Sequence, residues 1–401
     1  MAADAFLTRV CLRNYKSIGE CNVRLGPLTY LVGPNGVGKS NFLDALHLVK
    51  DALQGTLENA LLERGGIGEV RRRSTGHPHH FEIRLEFSLR NGENGSYAFE
   101  VGAAKKGGYE VQREGCDLSG NGRERCFHLE RGEIQYCSEP TFPAVSAGRL
   151  ALVSASGLPA FRPAFDALTA MGFYNLNPKL IRELQKPQDG RLLRPAGENL
   201  ASVIGQLERS DPETLTRIEE YLRAVVPTVH GVERQAVGPM ESLSFRQEVA
   251  GAKHPWRFLA MNMSDGTLRA LGILTALFQG AGAEVPTLVG IEEPESALHP
   301  AAAAVLRAAL VSASARTQVI VTSHSPDLLD DPALPAEAIR AVVHEGGQTE
   351  IHPVDAASRE VMRKGLFTAG ELLRLNQLAP DRQVQTGQEP SPGGRLADLA
   401  P

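Results

Sequence analysis

The sequence predicts an α/β fold with a mixed sheet. An antiparallel β-rich N-terminal part comes first, then a helical insertion, then a return to buried strands alternating with helices. Three observations predict it. First, Gly33-Pro34-Asn35-Gly36-Val37-Gly38-Lys39-Ser40-Asn41 fits the spacing G-x-x-x-x-G-K-S/T. It lies between an apolar stretch, residues 28–32, and a helix-compatible apolar pattern at Phe42, Leu43, Ala45, Leu46, Leu48 and Val49. Strand, Gly-rich loop, helix is the arrangement that cradles phosphate. Second, residues 287–291 and 318–322 (QVIVT) are short apolar runs, as strands inside a parallel sheet read, with an alanine-rich helical stretch, 301–311, between them. Third, residues 7–13 and 80–89 alternate apolar and polar side chains, the period of half-buried strands.

In chain order, residues 6–23 read as a strand, paired in a hairpin with the segment near 21–25. The phosphate-loop strand and helix follow, then further strands at 80–89, 97–101 and 108–113 with Gly-rich turns between them. Residues 1–150 therefore form an N-terminal lobe with a β-rich subdomain. Residues 151–228 are mainly helical: Leu200, Val203, Ile204 and Leu207, then Leu215, Ile218, Leu222 and Val225, recur at helical spacing. Pro212 suits a first turn and Pro227 stops the second helix. Residues 229–380 form a C-terminal lobe that starts with strands over 229–249 and includes a helix over 268–278. Residues 381–401, rich in Gln, Gly, Pro and Ser, read as a disordered tail. There is no internal repeat and no sustained heptad pattern.

The 401 residues are 42% hydrophobic and 22% charged, the composition of an ordinary globular protein, and the formal net charge of −5 carries no global signal for nucleic acid. No run of 18 apolar residues predicts a membrane span, and the N-terminus, with Asp4 and Arg9, lacks a signal-peptide layout. A cytoplasmic location is expected, with the five cysteines reduced; the spacing of Cys116, Cys126 and Cys137 matches no familiar zinc pattern.

The loop's chemistry is that of a nucleoside triphosphate. Backbone N–H groups of residues 33–41 curl around the phosphates, Lys39 supplies a point charge to the β/γ oxygens, and Ser40 offers a hydroxyl to Mg²⁺. Such a loop needs a carboxylate at a neighbouring strand end. The 287–291 strand runs into Glu292-Glu293, so Glu292 is assigned to the Mg²⁺ shell and Glu293 to the general base that orients the attacking water. Adjacent strand-end residues normally point opposite ways, and the turn at Pro294 is expected to let both serve one site. The next strand ends at Thr322-Ser323-His324, which places His324 at the carboxyl edge of the sheet, where open α/β folds bind ligands. Ser264, before Asp265, Gly266 and Thr267, is a good helix cap whose hydroxyl and free N–H groups also suit a γ-phosphate.

The order of these pieces resembles that of ABC-type ATPases, most strongly the SMC/RecF-like branch with its OLD-type and AAA-labelled relatives. Leu12-Arg13-Asn14-Tyr15-Lys16-Ser17 looks like that branch's N-terminus, and residues 33–41 resemble its Walker A motif. Residues 264–267 resemble the signature motif, with Asp265 where transport ATPases prefer glycine. Residues 291–300 resemble Walker B running into the D-loop, with His299 where transporters have aspartate, and residues 322–326 resemble the switch-histidine loop. Residues 366–374 look like the tail of the group; the Q-loop glutamine has no clear place, Gln54 lying in the first helix region. The resemblance implies an ABC/RecF-type P-loop NTPase head that takes ATP and Mg²⁺. It implies a homodimer with ATP sandwiched between subunits, Ser264 and Gly266 acting in trans, and slow hydrolysis by the lone subunit. It also implies service in DNA maintenance, repair or anti-phage defence.

A transporter motor, a regulatory ATPase acting on a protein partner without DNA, and a small-molecule kinase are the competing readings. Asp265, His299 and the long segment between Asn41 and Ser264 count against the transporter, and a kinase needs neither residues 264–267 nor His324. DNA is a candidate partner through Arg71-Arg72-Arg73 with His77, His79 and His80, the one compact basic cluster. No nuclease is expected in this chain, so a nuclease or other effector protein is a further candidate partner.

Overall fold

The computed structural model describes residues 6–74, 76, 78–104, 107–280 and 285–382. His77 and the tail from residue 383 lie outside them. The described residues divide into two compact units, one within 6–171, 334–367 and 375–382, the other within 172–333 and 368–374.

In the first unit ten strands form a mixed sheet, in the order Glu133–Cys137, Arg123–Glu130, Tyr109–Gly120, Asn94–Ala103, His80–Ser88, Leu7–Tyr15, Ile18–Arg24, Gln348–Pro353, Ile339–Glu345, Leu28–Val32. The first seven are all antiparallel, the five from residues 80–137 as a meander and Leu7–Tyr15 with Ile18–Arg24 as a hairpin added at its edge. The alternation at 7–13 fixes its register: Val10 and Leu12 sit opposite Val23 and Cys21 on one side and opposite Leu85 and Ile83 on the other, all of them buried. Two meander strands, Arg123–Glu130 and Glu133–Cys137, go beyond the strands read from the sequence. Asn121-Gly122 and Arg131-Gly132 make the tight turns, each with positive φ at both central residues (52° and 72°, 50° and 82°), as primed hairpin turns require. Parallel pairing enters where Thr349 meets Ile18 and where Ile339–Glu345 lies along Leu28–Val32. Helix Lys39–Gln54 buries the apolar positions read from the sequence, Phe42, Leu43, Ala45, Leu46, Leu48 and Val49, and Ala52 and Leu53 with them.

The second unit holds three parallel strands, Gln318–Ser323 beside Leu288–Glu292 beside Gly172–Tyr174. The three-residue strand Gly172–Tyr174 is too short to show a period. Helices Leu200–Ser210 and Pro212–Val225 bury the residues that spaced them except Val225, which is half-buried at the end of the second, and Asp211 caps that helix by accepting from Thr214 N. An antiparallel sheet follows, Val229–Val237, Met240–Gln247 and Trp256–Leu259. Helix Asp265–Phe278 is buried along most of its length, and helix Ala303–Ser314 connects the two longer parallel strands. Among the described residues no helix is long and apolar enough to cross a membrane.

Candidate nucleotide site

Residues 33–41 form the expected turn between strand Leu28–Val32 and helix Lys39–Gln54. Gly36 and Gly38 have φ of 80° and 100°, conformations that a side chain resists. Gly33 lies so close to strand Ile339–Glu345 that a Cβ would stand 2.1 Å from the Val342 carbonyl. Val37 turns into the core, whereas Pro34, Asn35, Gly36 and Ser40 are exposed. Lys39 Nζ donates to the carbonyls of Gly33 and Pro34, both at 2.8 Å, so the ammonium is held over the loop. The helix has no acidic residue in its first turn and no side-chain cap, so its leading N–H groups and positive end suit an anion.

The loop stands on a polar support. Thr349, fully buried, donates its hydroxyl to the Val37 carbonyl at 2.6 Å and lies 2.7 Å from Ser17 Oγ, 332 residues away in the chain. Asn41 Nδ2 donates to the same Ser17 hydroxyl at 2.6 Å. Gly38 fits over this pair because a Cβ there would meet Thr349 Oγ1 at 2.2 Å and Ser17 Oγ at 2.6 Å. One turn further along, Asp44 gathers Tyr15 Oη, Lys16 Nζ and Arg64 Nε. Burial pushes its carboxyl up, but Arg64, Lys16 and Tyr15 outweigh that and hold it below the ordinary value. Gln54 donates to the Thr169 carbonyl at the far end of this helix.

The carboxylates and the histidine belong to the second unit. Glu292 is the last residue of its strand, in register with Thr322. Glu293 then enters the left-handed region at φ 42°, its N–H donating to Thr322 O at 3.0 Å. This break falls one residue before Pro294 and turns the Glu293 side chain toward the next loop, where His324 Nδ1 lies 3.3 Å from Glu293 Oε1. Both side chains remain about a third exposed, at 34% and 39%. Glu295 secures the histidine loop: its Oε1 accepts from Ser323 Oγ at 2.6 Å and from His324 N at 3.3 Å. Ser264 is the N-cap of helix Asp265–Phe278, accepting from Thr267 N at 3.2 Å. Asp265, the departure from the transporter pattern, pairs with Arg182, which also donates to Met263 O at 3.0 Å. Gly266 admits close approach of the Ala297 carbonyl, 2.6 Å from where a Cβ would be. His299 caps the turn at Pro300, accepting from Ala301 N.

The 366–374 motif acts on the same unit. Thr368 and Glu371 cap each other reciprocally around helix Ala369–Arg374. Thr368 Oγ1 and Arg374 Nη1 then hold the two oxygens of Asp330, and Arg374 Nη2 holds Asp327, so the segment that follows His324 is gripped from the C-terminal side. Sequence reading missed Thr349, Glu295 and this grip, because nothing local in the sequence links them to the loops they support.

The arrangement defines a class: an α/β P-loop ATPase of the ABC, RecF and SMC kind. Residues 28–117 and 157–330 match the family described as "AAA domain, putative AbiEii toxin, Type IV TA system", and the chain belongs to that family. It is similar to the OLD nuclease of Thermus scotoductus, 22% identical over 342 residues that cover 81% of this chain and 60% of that protein. It is also similar to the DNA replication and repair protein RecF of Magnetococcus marinus, 35% identical over 114 residues covering 24% of this chain and 28% of that one. The chain thus spans about 60% of the one relative and under a third of the other. Among solved structures it resembles an Smc head bound to the C-winged helix domain of ScpA, with TM-score 0.54, 14% identity, and coverage of 86% of this chain and 96% of that one. A second Smc head, with an extended coiled coil and bound to the C-terminal domain of ScpA from Pyrococcus furiosus, gives TM-score 0.50, 13% identity, and coverage of 90% and 99%. At such identities these structures establish the fold alone.

Proposed function

We propose that this protein is an ATP-hydrolysing switch that dimerises on ATP and serves a nucleic-acid transaction. The observation that carries the proposal is the pairing of His324 with Glu293 at the carboxyl end of the parallel strands, 3.3 Å apart and open to solvent. In this reading Gly33, Pro34, Asn35, Gly36, Val37, Gly38, Lys39, Ser40 and Asn41 hold the triphosphate. The hydroxyl of Ser40 and the carboxylate of Glu292 are hard oxygen donors of the kind Mg²⁺ takes, and would hold the ion that supplies positive charge to the phosphate oxygens. Glu293 accepts the proton of the attacking water, and His324 donates toward the γ-phosphate. Ser264 and Gly266, at the start of their helix, offer the capping hydroxyl and the positive helix end to the nucleotide of a second copy.

Two measurements test this. Glu293→Gln should retain ATP binding, block turnover and accumulate a dimer on sizing with ATP and Mg²⁺; a monomer under those conditions rejects the sandwich. ATP turnover with and without double- and single-stranded DNA tests the nucleic-acid role, which predicts stimulation.

One observation favours a regulatory ATPase acting on a protein partner instead. The basic cluster is partly engaged within the chain: Arg72 Nη2 donates to Gly347 O at 3.2 Å, and Arg73 pairs with Glu69. Mutating Arg71, Arg72 and Arg73 together should lower the salt dependence of DNA binding if the cluster contacts phosphates.

A further inference from the structure

We propose that Arg269 is a positioning residue that couples the Ser264 cap to the Glu293 turn of the same chain, making the two ATP sites of a dimer interdependent. The inference rests on the sandwich reading above and deepens it.

Arg269 lies on the Ser264-capped helix, just beyond its first turn. Its Nη1 donates to Leu176 O at 2.9 Å, and its Nη2 donates to both Glu292 O at 3.2 Å and Glu293 O at 3.0 Å. One planar side chain therefore holds three carbonyls from two other segments, two of them belonging to the residues assigned to metal and base. A guanidinium presents its donors in a fixed fork and stays charged, so the three distances change together. Burial disfavours its charge, while Glu295, Glu293 and Glu292 nearby favour it.

A second contact runs parallel to the first. The Ala297 carbonyl meets the helix at Gly266, and Ala297 itself has φ of 66°. Glu293, at φ 42°, is likewise in a conformation that persists only where its surroundings hold it. The cap of the helix and the turn bearing the carboxylate are thus pinned to each other at two points. A shift of Ser264 on meeting the partner's nucleotide must pull on the Glu292 and Glu293 carbonyls. Displacement of a catalytic group by about 1 Å changes rate by about 100-fold, so a small shift suffices. Because Ser264 serves the partner's nucleotide and Glu293 its own, the link joins the two sites.

The test uses the full chain with Arg269→Lys, which keeps the charge but has no fork, and Arg269→Gln as a second variant should the first not fold. Three quantities are read: affinity for a fluorescent ATP analogue, ATP-dependent dimerisation on a Glu293→Gln background, and the Hill coefficient of turnover against ATP. The wild type should turn over with a Hill coefficient above 1. The variants should bind the analogue within about two-fold of wild type and still dimerise, with turnover down about ten-fold or more and a Hill coefficient near 1. A variant that stays as cooperative as wild type, whatever its rate or melting temperature, overturns the proposal, and so does a wild-type dimer without cooperativity. Absence of the Glu293→Gln dimer instead defeats the sandwich reading beneath it.

Discussion

Replacing Thr349 by valine tests the support beneath the phosphate loop. The substitution keeps the volume of a fully buried side chain and removes its hydroxyl. Two hydrogen bonds go with it, the 2.6 Å bond to Val37 O and the 2.7 Å contact with Ser17 Oγ. Ser17 keeps Asn41 as a donor, but the Val37 carbonyl is left without this partner. Leaving the buried Val37 carbonyl unpaired costs about 1–3 kcal/mol and losing the Ser17 bond about 1 kcal/mol more, so the two losses amount to about 2–4 kcal/mol. If about 2 kcal/mol of that falls on the ordering of residues 33–41, ATP affinity drops about 30-fold. Thr349→Ser is the control, since it keeps the hydroxyl and loses one methyl, worth about 1 kcal/mol. Titration with a fluorescent ATP analogue and thermal melting read the two effects. Should Thr349→Val bind ATP as tightly as Thr349→Ser, the hydroxyl does not order the loop.

Lys39→Ala should remove measurable ATP binding in the same titration, and unchanged affinity would refute the central assignment. Arg374→Ala frees Asp327 and one oxygen of Asp330; these pairs are about 40% exposed, so little global stability should be lost. Turnover should nevertheless fall about ten-fold at unchanged ATP affinity, and an unaltered turnover number would show that the grip does not position His324. Glu114 is buried against Tyr97 Oη and the N–H groups of Ala151 and Leu152, and burial pushes its carboxyl up to about 7. The folded protein thus holds a proton that the unfolded chain releases above its ordinary 4.5. The contribution of Glu114 to stability should be fully present below that value and fall as pH rises to about 7, by up to about 3 kcal/mol, read as the pH dependence of the difference in melting between wild type and Glu114→Gln.

Much of the fold was legible because its signals are local. The Gly-x-Gly-Lys-Ser loop, the period-2 alternation of residues 7–13 and the proline at 212 each act within a few residues of themselves, and the elements they predict are present. The short strand Gly172–Tyr174 and the exposed edge strand Glu133–Cys137 were not legible, the one for want of length and the other because a solvated edge needs no apolar pattern. Asn121-Gly122 carries a local hairpin signal that the sequence reading passed over, and the structure uses it as a tight turn.

The sequence by itself determined the chemistry on offer: a phosphate loop, two adjacent carboxylates, a histidine after a strand and a serine before a helix. Spacing and local backbone preference are enough for that. Only the tertiary structure decided how those groups are held. Thr349 reaches the loop from 312 residues away in its hydrogen bond to the Val37 carbonyl, Glu295 and the Thr368–Arg374 grip fix the loop of His324, and a left-handed turn at Glu293 aims its carboxylate. Hydrogen bonds between distant segments leave no period or spacing along the chain, so they become visible only once the chain has packed.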